Sequence, residues 1–216
     1  MTRLGAGCGK AGREGAGPRG APYPARMVTP DILTAKFGQG LSYDEYLKTA
    51  TAQQLEHWKK FESQVTLTAP QRDLLASFRR PMPVLVLSGT WCGDCVAQVP
   101  MLRAIERANP GIIRLRLIDR DEHADLAEQV KICGGMRVPT VIFMSELFDF
   151  VGLLGDRTIS RYRAMAAKQL GGACPLPGAP VPADEIAATV ADWVVEFERV
   201  QLMLRLSPKL REIHGD

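Results

Sequence analysis

The stretch PVLVLSGTWCGDCVAQVP, residues 83–100, limits the possible folds more than any other part of the chain. Val84 to Ser88 is a short apolar, β-branched run of the kind that forms a strand buried on both faces. Beyond it Val96, Val99, Leu102, Ile105 and Ala108 recur at helical spacing until Asn109–Pro110–Gly111 stops the helix. Cys92 and Cys95 therefore fall where a strand turns into a helix. A pair so placed is a redox couple, half of a metal site, or two small core residues.

The alternation continues downstream. Residues 112–120, IIRLRLIDR, alternate like a strand, and 123–135, HADLAEQVKICGG, predict a helix ending at Gly134–Gly135. PTVIFM and FDFVGLL predict a hairpin, and 158–171 a closing helix. This order predicts an α/β fold with a central mixed β-sheet flanked by helices. Extra helices are expected at both ends. From Ser42, acids in the first turn and Tyr43, Tyr46, Leu47, Leu55, Trp58 and Phe61 at helical spacing predict two short helices or one broken one. Thr68 and Gln71 have the spacing of a capping box, and Pro81 and Pro83 end the helix it starts. After the Pro/Gly-rich segment 172–182, residues 183–206 predict a last amphipathic helix. Its stripe of Ile186, Val190, Trp193, Val194, Phe197 and Val200 is most simply core packing. The expected organisation is a disordered tail over 1–26, a helical extension over 27–80, the α/β core over 81–171, and a linker with a C-terminal helix over 172–216.

Composition narrows the function. A chain of 216 residues, 46% hydrophobic, supports one core of ordinary size. The formal charge of +3 comes from Arg3, Lys10, Arg13, Arg19 and Arg26, which stand against Glu14 alone. The remainder holds 22 basic and 23 acidic residues, which argues against a nucleic-acid or anionic-membrane partner. No apolar run nears the roughly 18 residues of a membrane span, and the N-terminus lacks a secretory apolar block, so a soluble, cytoplasmic protein is expected. Met27 offers an alternative start. Five cysteines are too few for a disulfide scaffold, and the odd count leaves at least one unpaired.

Thiol chemistry suits the junction for a physical reason. A cysteine at a helix N-terminus faces unpaired N–H groups and the positive end of the macrodipole, both of which favour a thiolate. A second cysteine one turn on is near enough to attack a mixed disulfide and release the substrate. In this reading Cys92 is the nucleophile and Cys95 the resolving thiol.

Val138–Pro139–Thr140 opens the next core strand 47 residues past Cys92, and with it the chain resembles the thioredoxin superfamily. WCGDC stands where that family has WCGPC, Pro100 takes the place of the proline within the active-site helix, and RVPT is similar to the loop whose cis-proline faces the cysteines. The resemblance covers roughly Pro83 to Leu170. It implies that Trp91, Gly93, Val138 and Pro139 form the surface on which a substrate docks, with Val138 offering backbone groups to an extended segment. It implies no cofactor, a protein or small-molecule disulfide as substrate, and an upstream thiol reductant. The proline ring would also crowd a metal ion out of the site. The N-terminal helices, WCGDC and the later Gly155–Asp156–Arg157 resemble a bacterial thioredoxin-like subfamily.

Two departures from that pattern matter. Val86 replaces the buried acid expected six residues before Cys92, which removes the usual proton acceptor for the resolving thiol. Asp94 replaces the proline between the cysteines and tunes the couple in two opposed ways. Its charge works against a Cys92 thiolate, while its carboxylate offers a base for Cys95. The leading expectation is a disulfide reductase; the alternatives are a thioredoxin-like binding or scaffold module with regulatory or vestigial cysteines, and a metal-binding C-x-x-C protein. Elsewhere, Cys8 sits in the tail, Cys133 is expected to be a small buried residue at a helix end, with a regulatory or third redox thiol as the alternative, and Cys174 lies in the linker. Asp119, Asp121, Glu122 and His123 cluster in sequence, with Asp121 or a neighbour expected as a helix cap. His57 and His214 are isolated, so no metal ligand set completes itself.

Overall fold

The computed structural model describes residues 28–170 and 181–216. The tail, Cys8 and Cys174 lie outside the described residues. At the centre is a four-stranded mixed sheet in the order β2-β1-β3-β4. Strand β1 (Met82–Ser88) pairs parallel with β2 (Ile113–Asp119) and antiparallel with β3 (Thr140–Met144), which in turn pairs antiparallel with β4 (Phe150–Gly155). All seven residues of β1 are buried, so its unbroken apolar run follows from having both faces covered. The parallel β1–β2 pair requires a crossover, supplied by helix α5 (Gly93–Ala108).

The N-terminal layer consists of α1 (Pro30–Gln39), α2 (Tyr43–Tyr46) with a following 3-10 turn, α3 (Ala52–Glu62) and α4 (Ala69–Ala76). Local chemistry starts each one. Thr29 caps α1, while Ser42 with Glu45, Thr51 with Gln54 and Thr68 with Gln71 close reciprocal capping boxes. Between α1 and α2 the Leu41 backbone exchanges two hydrogen bonds with Leu117, which covers the outer edge of β2. Tyr43 and Tyr46 meet Trp58 edge-on in a buried aromatic cluster.

Helices α6 (Ala124–Gln129), α7 (Ile159–Leu170), α8 (Glu185–Leu206) and α9 (Pro208–His214) complete the described chain. Val190, Trp193, Val194, Phe197 and Val200 of α8 are buried, with Phe197 edge-on to Phe143 of β3. Gln201 fixes α8 to the segment entering β1: its carbonyl accepts from the Arg79 and Arg80 N–H groups, and its amide donates to the Arg80 carbonyl. Among the described residues, no helix is long and apolar enough to cross a membrane.

Five local expectations are corrected. Helix α1 begins twelve residues before Ser42, announced by Thr29 and Pro30 and by Leu33 and Phe37 on one face. The helix expected over 123–135 ends at Gln129. Ile132 and Gly135 then exchange both backbone hydrogen bonds around Cys133 and Gly134, which have φ of 48° and 76°, so a two-residue reverse turn replaces the last helical turns. Cys133 is consequently exposed rather than buried. His123, not Asp121, occupies the N-cap of α6, and it makes no side-chain cap; the Asp119 carboxylate instead accepts from the Asp121 and Glu122 N–H groups. The final helix is two, because Ser207 caps a new one that opens at Pro208.

Candidate active site

Cys92 is the N-cap residue of α5, and its sulfur accepts the Cys95 N–H at 3.4 Å. Both cysteines are free thiols. Cys92 is half-buried and its thiol points toward the cis Val138–Pro139 segment, donating to the Val138 carbonyl at 3.5 Å. Its pKa is lowered to about 7. The Cys95 thiol stabilises the thiolate most, burial opposes it, and the N–H groups of Cys95 and Asp94 add to it, as a helix N-terminus should. Cys95 has the opposite character. It is fully buried, and burial followed by the neighbouring Cys92 sulfur pushes its thiol well up.

Around this pair the chain forms a charged rim. Asp94 is bound by Arg157, which also donates through Nε at 3.0 Å, and by Arg161 at 2.9 Å. Arg161 continues to Glu185 at 2.9 Å, so α8 contributes to the rim. Asp156 binds Arg157 at 2.7 Å, Arg137 at 3.2 Å and the Tyr162 hydroxyl. Burial works against the Asp156 carboxylate, but these donors hold it below its ordinary range. Gln98 of α5 is buried and donates to the Asp156 carbonyl at 2.8 Å, tying the active-site helix to this loop.

Two glycines permit close approach. The ring of Trp91, half exposed, lies over Gly89, where an added Cβ would stand 2.7 Å from it, and the Arg120 guanidinium covers the ring 4.6 Å from its centroid. Gly155 lets β4 close on Pro139, whose carbonyl an added Cβ would approach to 2.9 Å. The floor is neutral. Trp58 Nε1 of α3 donates to the Thr90 carbonyl at 3.0 Å, and Ser88 and Tyr46 bring buried hydroxyls beside Cys95.

A family model described as thioredoxin matches residues 40–168, more than half of the chain. The chain belongs to the thioredoxin superfamily. Its fold is similar to that of a Pseudomonas aeruginosa protein of unknown function, with a TM-score of 0.61 at 17% identity over 81% of this chain and 97% of that one. An HIV epitope-scaffold is similar at a TM-score of 0.57 and 19% identity, over 76% of this chain and 97% of that one. No curated protein matches.

On this thioredoxin-like frame, Trp91, Cys92, Gly93, Asp94 and Cys95 occupy one turn, and the fold brings Val138 and Pro139 against Cys92. Gly93 is exposed, with nothing within 4 Å of where a side chain would begin, whereas Val138 and Pro139 are buried. Asp94 faces Arg157 and Arg161, so its carboxylate is engaged by them rather than by Cys95. Sequence reasoning missed both arginines, Arg120, Tyr46, Ser88 and Trp58. Tyr46, Trp58, Ser88, Arg120 and Arg161 lay in stretches read only for secondary structure, and Arg157 in Gly155–Asp156–Arg157, noted only for a resemblance. Val86 is buried, and no group of three or more His, Cys, Asp or Glu among the described residues is placed to hold a metal ion.

Proposed function

We propose that this protein is a thiol-disulfide oxidoreductase acting as a disulfide reductase. The observation that carries the reading is the unlike character of its two thiols: Cys92, half-buried at a helix N-cap with its pKa lowered to about 7, beside Cys95, buried with its thiol pushed up. The Cys92 thiolate attacks a substrate disulfide, forming a mixed disulfide and expelling one substrate thiolate. Cys95 then loses its proton and attacks the Cys92 sulfur, so a Cys92–Cys95 bond forms and the second substrate sulfur leaves. Two electrons pass from the dithiol to the substrate, and an upstream thiol reductant restores the pair. Trp91, Gly93 and the Val138 backbone receive the substrate beside Pro139.

The acidity of Cys92 supports the reductive direction. Thioredoxin's nucleophile has a pKa near 7 and a potential of about −270 mV, whereas in the oxidant DsbA a pKa of about 3.5 stabilises the reduced form and accompanies about −120 mV. A reductase needs a compartment that supplies thiol reductant, and the cytoplasm is the one we assign. A Cys95→Ser variant tests the assignment by trapping Cys92 in mixed disulfides with proteins or a small disulfide, detectable on non-reducing gels and by mass. Absence of any such adduct, with Cys92→Ser as the control, contradicts it.

A binding-module reading draws on exposed Val195, Leu202 and Leu206 of α8. It predicts that Leu202→Ser with Leu206→Ser abolishes function while Cys92→Ser does not.

A further inference from the structure

The resolving step asks a buried thiol to lose a proton, and no side-chain carboxylate, amine or imidazole among the described residues makes a hydrogen bond to Cys95. What lies beside it instead is a pair of hydroxyls. Ser88, the last residue of β1, and Tyr46, from α2, are 0% and 1% exposed. In the resting geometry neither Ser88 Oγ nor Tyr46 Oη closes an ordinary hydrogen bond with any described residue. Buried polar groups without partners are rare because they forfeit water and receive nothing in return. Here two stand next to the one thiol that must ionise. The Ser88 hydroxyl is near enough to both neighbours to ease the ionisation of each.

Tyr46 is held there by more than its own packing. Its ring lies edge-on to Trp58, whose indole is hydrogen-bonded to the Thr90 carbonyl, two residues before Cys92. Tyr46 also lines a cavity of about 290 Å³ together with Thr90, Asp119, Glu122 and His123. The phenol thus stands between the buried thiol and a space open to solvent.

We propose that the Ser88 hydroxyl, backed by the Tyr46 phenol, carries the proton away from Cys95 as it resolves the mixed disulfide, an inference that rests on the oxidoreductase reading above. As Cys95 Sγ bonds to Cys92 Sγ, the Cys92–substrate bond breaks and its electron pair leaves on the substrate sulfur. The Cys95 proton passes to Ser88 Oγ while that hydroxyl gives its own to Tyr46 Oη. Tyr46 Oη, covered in the resting geometry, releases its proton to water that enters from the cavity, and water protonates the departing thiolate, so nothing else is consumed. Ser88 is the hydroxyl beside the reacting thiol, and Tyr46 is a positioning residue acting through it. The other titratable groups bearing on this route are Cys92, Asp94 beside Cys92, and Asp119, Glu122 and His123 at its outer end.

Ellman's reagent separates the steps, using the full chain with Cys8, Cys133 and Cys174 replaced by Ser. Attack by Cys92 releases one nitrothiobenzoate and resolution by Cys95 a second, each followed by stopped-flow absorbance. Tyr46→Phe removes only the phenol oxygen and Ser88→Ala only the hydroxyl. Each should slow the second release by on the order of tenfold or more and displace its rising pH limb to higher pH. The first release should change much less, and the double variant should be no slower than the slower single. Because the lost phenol oxygen had no partner, Tyr46→Phe should keep or raise resistance to urea, which separates a proton-carrying role from a structural one. A second release in Tyr46→Phe with the parent's rate and pH profile overturns the relay while leaving the oxidoreductase reading intact. A parent protein that gives no second release overturns both.

Discussion

The two cysteines look onto opposite surroundings, built by opposite ends of the chain. Beneath Cys95 the N-terminal layer supplies a floor of aromatic rings and hydroxyls: Tyr46, Trp58 and, from β1, Ser88. Beside Cys92 the C-terminal half supplies a charged rim, with Arg157 and Arg161 closed on Asp94 and Glu185 closed on Arg161. Charge at the rim affects the acidity of Cys92, where solvent is near. Neutral burial at the floor favours the protonated Cys95 thiol. Helices added to a thioredoxin-like core therefore shape the surroundings of both cysteines as well as the packing.

Disturbing the floor should have the largest effect. Trp58→Ala empties a fully buried site and should cost about 3–5 kcal/mol in urea unfolding. Trp58→Phe keeps most of the volume but leaves the Thr90 carbonyl without its donor, and should cost about 1–3 kcal/mol. If instead both variants unfold like the parent, the floor is not held by α3. The rim should act on reactivity more than on stability. With Arg157→Ala and Arg161→Ala together, Asp94 loses its counter-charges and opposes the Cys92 thiolate, so iodoacetamide should modify Cys92 about two- to fivefold more slowly at pH 6. Asp94→Asn should do the reverse.

The pH profile in the parent follows from the sign of the shift. Modification of Cys92 should rise as pH increases through about 7, below the rise of an unperturbed thiol near ~8.5. The smallest change is expected from Gly93→Ala. The site has room for a side chain, so unfolding should move by no more than about 0.5 kcal/mol, and any loss would appear only in turnover of bulky disulfides.

How much of this was legible in the sequence depended on distance along the chain. Strand β1 and helix α5 were, because double burial leaves an unbroken apolar run and an amphipathic helix leaves its period. Cys92, Cys95, Val138 and Pro139 lie in short motifs, so their placement together could be expected from the resemblance. The turn at Cys133–Gly134 was not legible, since Cys133 adopts a positive φ that its residue type does not announce. Nor were the partners of Asp94, because Arg157 and Arg161 lie 63 and 67 residues away and only the closing of β4 and α7 on α5 delivers them. Tyr46 carried a helical signal, and its period said that it would be buried. Nothing local said that it would be buried beside Cys95.

The central claim is that Cys92 and Cys95 form one two-electron couple. The most direct test equilibrates the full chain across a series of thiol–disulfide buffers and counts reduced cysteines by mass after acid quenching and alkylation. The account predicts that Cys92 and Cys95 lose their thiols together at a single midpoint, nearer to about −270 mV than to about −120 mV. A chain in which the two are oxidised independently, or in which no Cys92–Cys95 disulfide forms across that range, would contradict it.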